Sequence, residues 1–323
     1  MLQRAYLGID VGGTSAKVAL IREDGLILVR RRFLTGRDLS LELFLKTVTF
    51  EARLLGREAE SRGLSLYGVA LGIPGLVSPV GVPHSVVNLP SLSEHNLCAL
   101  LEQKLSFPVQ VLNDANAAAY GEFVYGAGRR FESMLMMTLG TGVGGGLVLN
   151  GSLWTGIDGV AGEVGHLTVE PDGRLCSCGN HGCLEQYASA TAVGQAWLEI
   201  VGTSVPPGAS TAEAAKPAAD AARGGDLRAL TVFEEAGRYL GIAAAGITNL
   251  LNIEAVVLGG GLAGSMDLLH ESMSREISRR AFAISADRLV IQAGELGDDA
   301  GVLGVVAYMV SASARIQRPE EVV

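Results

Sequence analysis

The apolar positions of this chain fall in short runs separated by glycine turns. Residues 5–9 form a continuous apolar run, a Gly-Gly-Thr turn follows, and 17–20 read as a second strand before the hairpin turn Glu23-Asp24-Gly25. The pattern over 40–62 predicts a long helix, followed by a strand at 67–73 and a Pro/Gly-rich loop region to about residue 93. A helix at 97–104, a strand at 109–112 and an Ala-rich helix at 115–125 continue the alternation. The opening theme then returns as a strand at 134–139, a glycine turn at 140–146 and a second strand at 147–149. Repetition of this kind predicts two related α/β halves. Residues 202–225, rich in Ala, Pro, Ser and Gly, read either as a flexible linker or as a helix. Ser210 or Thr211 with Glu213 would cap that helix, and Pro217 would disturb its interior. Helices at 226–252, 266–283 and 301–313, with a strand at 255–258, complete the chain.

Composition narrows the classes. Of 323 residues 48% are hydrophobic and 18% charged, enough to bury a sizeable core and to fold as two domains. A net charge of -9 argues against a nucleic-acid or anionic-membrane surface, since both need clustered Lys and Arg, but leaves local phosphate binding open. The longest apolar stretch, 240–262, is interrupted by Asn249, Asn252 and Glu254 and reads as buried helix and strand. Arg4 is followed at once by a strand, which leaves no room for a signal peptide or a DNA-binding domain ahead of Asp10. The expected location is cytoplasmic.

Four cysteines are present, and Cys176, Cys178 and Cys183 lie within eight residues. In a reducing compartment such a cluster points to metal before disulfides, whereas Cys98, standing alone, reads as packing. With His166 the three thiols supply the four nitrogen and sulfur ligands of a closed tetrahedral Zn2+ site, and Gly179, Asn180 and Gly182 allow the tight turns it needs. Reduced packing cysteines are the alternative.

Three glycine turns carry candidate phosphate chemistry. In Asp10-Val11-Gly12-Gly13-Thr14 the glycines let backbone N–H groups approach a phosphate. Thr14 adds a hydroxyl and Lys17 a charge, while Asp10 can hold Mg2+ through water; an ordinary hairpin is the plain alternative. Gly140-Thr141-Gly142-Val143-Gly144-Gly145 matches the dinucleotide pattern, but a strand follows it where a dinucleotide site needs a helix. Gly259, Gly261 and Gly264 have the same spacing before a helix, yet only about 60 residues remain, too few for a dinucleotide domain. A glycine floor beneath a nucleotide base, formed by Gly259, Gly260 and Gly261, is the better reading, and no Walker A sequence occurs.

Taken together, the turns resemble the phosphate 1, phosphate 2 and adenosine motifs of the actin-like superfamily of ATPases and sugar kinases. That resemblance implies an α/β, two-domain actin-like ATPase (ribonuclease H-like) fold with a nucleotide and sugar cleft between domains. The expected division is an N-terminal α/β domain, 1–122, completed by a helix at about 301–314, and a C-terminal domain, 123–300, carrying the zinc loop and adenosine motif.

Asn113-Asp114 follows a strand and precedes a helix, the position where ligands gather in α/β folds. Asp114 could merely cap that helix. As a base it would accept the proton of an attacking hydroxyl in phosphoryl transfer, with Asn113 holding neighbouring hydroxyls. The run from Leu112 to Glu122 resembles the catalytic segment of the ROK family (repressors, open reading frames and kinases), in which the aspartate aligned with Asp114 is the general base. Gly162-Glu163-Val164-Gly165-His166 and the run from Cys176 to Glu185 resemble its two signature segments. The resemblance implies that zinc orders the sugar site and that His166 binds metal through one ring nitrogen and offers the other to a sugar hydroxyl. It also implies that Glu163 and Glu185 accept hydrogen bonds from the sugar, with Gly75 and Asn88 lining the same site. His181 departs from the ligand pattern and stays outside the metal set.

The family admits a glucokinase, a kinase for fructose, mannose, N-acetylglucosamine or N-acetylmannosamine, and a sugar-responsive repressor; a noncatalytic sugar-sensing protein is a further class. ROK repressors carry a helix-turn-helix ahead of the first glycine loop, and only nine residues precede Asp10. The segment around Cys178 to Ser189 looks more like glucokinases of the family than like its fructokinases. The expectation is therefore an ATP-dependent hexose kinase acting on glucose, with Mg2+ serving ATP and Zn2+ structural, as a homodimer or homotetramer. ATP or polyphosphate remains open as donor.

Overall fold

Two sheets of like topology organise the chain. The computed structural model describes residues 3–317 and divides into two units. One comprises the described residues through Arg129, Leu153–Ala161 and those from Asp298; the other comprises Arg130–Ser152 and Gly162–Gly297.

In the first unit, β1 (Gln3–Val11), β2 (Ser15–Arg22) and β3 (Ile27–Leu34) form an antiparallel meander. It is extended by β4 (Leu64–Ile73), the small hairpin β5 (Leu76–Val77) and β6 (Pro83–His84) stands apart, and β7 (Val109–Asn113) closes the sheet in the order β3-β2-β1-β4-β7. β1, β4 and β7 are parallel, with Asp10 opposite Gly72 and Ile73 opposite Asn113. Helix α1 (Leu41–Ser61) is started by the Ser40 side chain, which accepts from the Leu43 N–H, and buries Phe44, Leu45, Val48, Ala52, Leu55 and Ala59 at helical spacing. After α2 (Leu97–Leu105) and β7 the chain enters α3 (Asp114–Tyr125).

The sequence pattern does not announce β3, because Arg30, Arg31 and Arg32 stand on it. It is an edge strand, where exposed charge is tolerated. Arg31 pairs at 2.6 Å with buried Glu51 of α1, and Arg30 with Asp299 at 2.7 Å.

The second unit repeats the plan. β8 (Met134–Leu139) pairs antiparallel with β9 (Val143–Leu149), and β10 (Ser152–Trp154), β11 (Ala255–Gly259) and β12 (Val290–Ala293) complete the order β10-β9-β8-β11-β12. β8, β11 and β12 are parallel. Helices α4 (Glu185–Ala188), α5 (Ala190–Val201), α6 (Ala215–Arg223), α7 (Leu227–Leu251), α8 (Met266–Arg280) and α9 (Ala283–Ala286) cover this sheet's core of Phe233, Leu240, Val256, Leu258, Leu269 and Met273.

Two expectations are corrected, and a third that the sequence left open is decided. The glycine turn is confined to 140–142, since β9 begins at Val143 and Gly144, Gly145 and Gly146 pair with Thr138, Met137 and Met136. Glycine is a poor strand former, which hides this strand start in the sequence. Much of the 202–225 segment is helical: a capping box of Ser210 and Glu213 opens a 3-10 turn, Thr211–Ala214, that runs into α6. Pro217 falls in the first turn of α6, where its missing N–H is tolerated. The helix expected to reach 283 stops at Arg280, where Ala281 turns to extended backbone. Among the described residues no helix is long and apolar enough to cross a membrane.

Candidate active site

In the first unit the site is built at the carboxyl ends of β1, β4 and β7, the end of a parallel sheet where ligands bind. Asp10 lies near the end of β1, and burial pushes its carboxyl group up against the opposing pull of Lys17. The Lys17 Nζ is 3.9 Å from Asp10 and donates to the Asp298 carboxylate at 3.0 Å and its carbonyl at 3.2 Å. Asp298 is a member of this group that sequence reasoning missed; its only signal was an acidic pair just ahead of the last helix. The turn through Gly12, Gly13 and Thr14 is closed by the Gly12 N–H donating to Ser15 O and by the Thr35 hydroxyl donating to Gly12 O at 2.7 Å. Asn88 lies against Gly13.

Asp114 is the first helical residue of α3, and the cap is Asn113, whose Oδ1 accepts from the Asn116 N–H at 2.9 Å. Capping is therefore done by the neighbour, and it is worth about 1 kcal/mol. The Asn113 amide nitrogen donates to Gly75 O at 3.0 Å and to Asp114 Oδ1 at 3.2 Å, so it ties Gly75 to Asp114. Asp114 Oδ1 also accepts from the Ala115 N–H at 2.8 Å. The position of α3 is fixed by the C-terminal helix (Ala300–Gln317): a Cβ on Gly304 would lie 1.7 Å from Ala117 O, and one on Gly121 2.2 Å from Ala300 O. Only glycine permits that approach.

In the second unit the four expected ligands come together. Ligand atoms of His166, Cys176, Cys178 and Cys183 all lie within 4.8 Å of one another. His166 Nδ1 is 3.7 Å from Cys176 Sγ, and the sulfurs of Cys178 and Cys183 are 3.7 Å apart. Two thiolates on a tetrahedral zinc at about 2.3 Å each would stand about 3.8 Å apart, so the donor set and its spacing fit a closed site. Asn180 and Gln186 donate amide hydrogen bonds to the Cys183 and Cys176 sulfurs, a second layer of support. His181 sits in the same loop, bridged to Leu175, outside the cluster.

Glu185 follows this loop directly. Its carboxylate accepts from the Val143 N–H at 3.1 Å and occupies the space over Gly142, where a Cβ would lie 2.3 Å from Oε2. The turn 140–142 is held a second time by α5: the Ala190 N–H donates to Gly140 O at 2.8 Å and the Thr191 hydroxyl to Thr141 O at 2.7 Å. Burial raises the Glu163 carboxyl group, against the pull of His166 and with the push of Glu185.

A cavity of about 750 Å³ opens beside this turn, lined by Gly140, Thr141, Gly261 and Gly264 and walled by α6. A Cβ on Gly140, Gly261 or Gly264 would meet nothing within 4 Å, and none of the three has a positive φ. Neither packing nor backbone geometry demands glycine there, and side chains at these positions would fill the cavity. The opposite holds at Gly259 and Gly260, where a Cβ would lie 2.3 Å from the Met136 methyl and 2.6 Å from Leu139 O. The wall supplied by Ser210, Glu213 and α6 belongs to the segment whose sequence left linker and helix open.

A pair of like sheets, acids at parallel strand ends and a glycine-walled cavity beside a phosphate-type turn define the actin-like ATPase fold. Within that class the chain belongs to the ROK family, whose model matches residues 6–312. A glucokinase of Halalkalibacterium halodurans is 37% identical over 317 residues, covering 94% of each chain. Among solved structures, the ROK hexokinase from Thermus thermophilus superposes with a TM-score of 0.81 at 29% identity, covering 97% of this chain and 99% of that one. A ROK family glucokinase from Streptomyces griseus in complex with glucose and AMPPNP gives 0.71 at 30% identity, covering 94% and 98%.

Proposed function

We propose that this chain is an ATP-dependent hexose kinase whose substrate is glucose, converting glucose and ATP to glucose 6-phosphate and ADP. The observation that carries the reading is the placing of two carboxylates, Asp10 near the end of β1 and Asp114 directly after β7, at the same end of parallel strands of one sheet. Phosphoryl transfer needs one acid on the metal and phosphate side and one to take a proton from the attacking hydroxyl. The similarity to glucokinases supports glucose as the sugar.

In this reading Asp114 accepts the proton of the sugar O6 hydroxyl as that oxygen attacks the γ-phosphorus. Asn113 acts through Asp114, because its amide is engaged on Asp114 and Gly75. Glu163 and Glu185 accept hydrogen bonds from other sugar hydroxyls, and His166, with Nδ1 turned to the thiols, presents Nε2 to the sugar. Gly75 and Asn88 line the sugar side. The N–H groups of Gly12, Gly13, Thr14, Gly140, Thr141 and Gly142 receive the phosphates, Lys17 offsets their charge, and the base lies on the floor from Gly259 to Gly261. Asp10 would hold Mg2+ through water, and the ion would supply positive charge to the phosphates. His166, Cys176, Cys178 and Cys183 would hold Zn2+, which would cross-link the segment that carries the sugar ligands. The assembly proposed is a homodimer or homotetramer.

The test is ADP release over a panel of glucose, mannose, fructose, N-acetylglucosamine and N-acetylmannosamine. Glucose giving the highest kcat/KM supports the proposal. ADP release with another sugar alone overturns glucose, and release with none overturns the kinase.

A further inference from the structure

The wall of the 750 Å³ cavity carries a cation whose orientation is locked. Arg223, the last residue of α6, donates through Nε to Asp267 Oδ2 at 2.9 Å and through Nη2 to Asp267 Oδ1 at 2.7 Å and Gly264 O at 2.8 Å. Asp267 sits in the first turn of α8, and Gly264 belongs to the 3-10 turn Gly261–Ser265 on the cavity floor. One edge of the guanidinium is thus consumed, and its plane is fixed relative to the floor. Its side chain is still 41% exposed, so its faces stay available.

Beside the polar Ser210, Glu213, Asp220 and Ser265, part of the cavity suits a flat apolar group. Ala190, Ala212, Ala215, Ala219 and Leu262 line it, and the bare glycines leave room against the backbone. A phosphate chain alone would use neither the volume nor the apolar wall. Lys216 on the same wall is a flexible point charge and offers no plane. A guanidinium held edge-on by a carboxylate is a stacking surface for a π-system.

We propose that the nucleobase of the phosphoryl donor stacks on the Arg223 guanidinium, and that the Arg223–Asp267 pair makes this chain select purine nucleotides. The inference rests on the ATP-dependent reading above and adds the residue that chooses the donor. It also disfavours inorganic polyphosphate, which has no base to stack.

The experiment compares wild type, Arg223→Ala, Arg223→Lys and Asp267→Asn in KM for ATP, GTP, CTP and UTP at saturating glucose, with inorganic tripolyphosphate as a competitor. Arg223→Ala and Arg223→Lys should raise KM for ATP and GTP about tenfold but for CTP and UTP less than about threefold, with kcat and the tripolyphosphate inhibition constant held. Asp267→Asn, which frees the plane but keeps the arginine, should fall between. An equal shift for all four nucleotides and tripolyphosphate would show a purely structural pair and overturn the proposal, as would a wild-type KM in Arg223→Lys. If wild type turns over no nucleotide, the kinase reading fails by itself. Displacement of a fluorescent ATP analogue by ATP against tripolyphosphate then still reads the Arg223 contribution, and an unchanged ATP affinity in Arg223→Ala would overturn it.

Discussion

The Glu185 carboxylate accepts a hydrogen bond from the backbone N–H of Val143 at 3.1 Å, across 42 positions of sequence. Glu185 stands two residues after Cys183, a metal-ligand candidate, and Val143 opens the strand that leaves the phosphate-type turn. The contact makes one carboxylate answer to two loops, the one a metal would order and the one that would hold phosphate.

Gly142 is the residue that allows it. In Gly142→Ala the new methyl would lie 2.3 Å from Glu185 Oε2, and a flexible carboxylate is displaced before backbone moves. The expected result is a KM for glucose raised about tenfold, the cost of one charge-assisted hydrogen bond, with the melting temperature nearly unchanged. Steady-state kinetics and calorimetry check it; an unchanged KM would mean that Glu185 does not hold the sugar.

Cys176→Ser removes one of four clustered donors. The purified protein should carry stoichiometric zinc as wild type and lose it in the variant, together with sugar affinity and several degrees of melting temperature. Elemental analysis reads the first effect directly. Active wild-type protein without zinc would contradict the assignment.

Asp10 gives a prediction about stability and pH. Burial raises its carboxyl group in the fold above the ordinary value of 3.8, so the native state holds that proton more tightly than the unfolded chain. Its contribution to stability is therefore fully present below pH 3.8 and is lost as pH rises through the raised value. At pH 7, above the ordinary aspartate range, the buried acid is a cost that a neutral amide avoids, and Asp10→Asn should melt higher while losing turnover. The gain should vanish when melting is followed below the ordinary aspartate range. A variant that melts lower at pH 7 would show that the Lys17 attraction outweighs burial.

Much of the fold was legible because apolar runs and glycine turns repeat in two like halves. The helices expected at 40–62 and 226–252 are found at Leu41–Ser61 and Leu227–Leu251, with Ser40 and Asp226 as their N-caps. What stayed hidden depends on tertiary partners. Three consecutive arginines on β3 become a strand only because an edge position exposes them and Glu51 and Asp299 pair with two. Gly144, Gly145 and Gly146 become strand only beside β8. The four metal-type ligands were readable as residue types at close spacing, but Asp298 and Arg223 were not, since the chemistry of each lies in a partner far along the chain.

The most direct measurement is turnover of glucose with MgATP by wild type and Asp114→Asn, followed by coupled ADP release alongside glucose affinity by calorimetry. Glucose-dependent turnover is expected in wild type and should fall by about 10²–10⁴ in the variant, the usual worth of a general base, while glucose affinity is kept. Turnover of Asp114→Asn near that of wild type would contradict the base assignment.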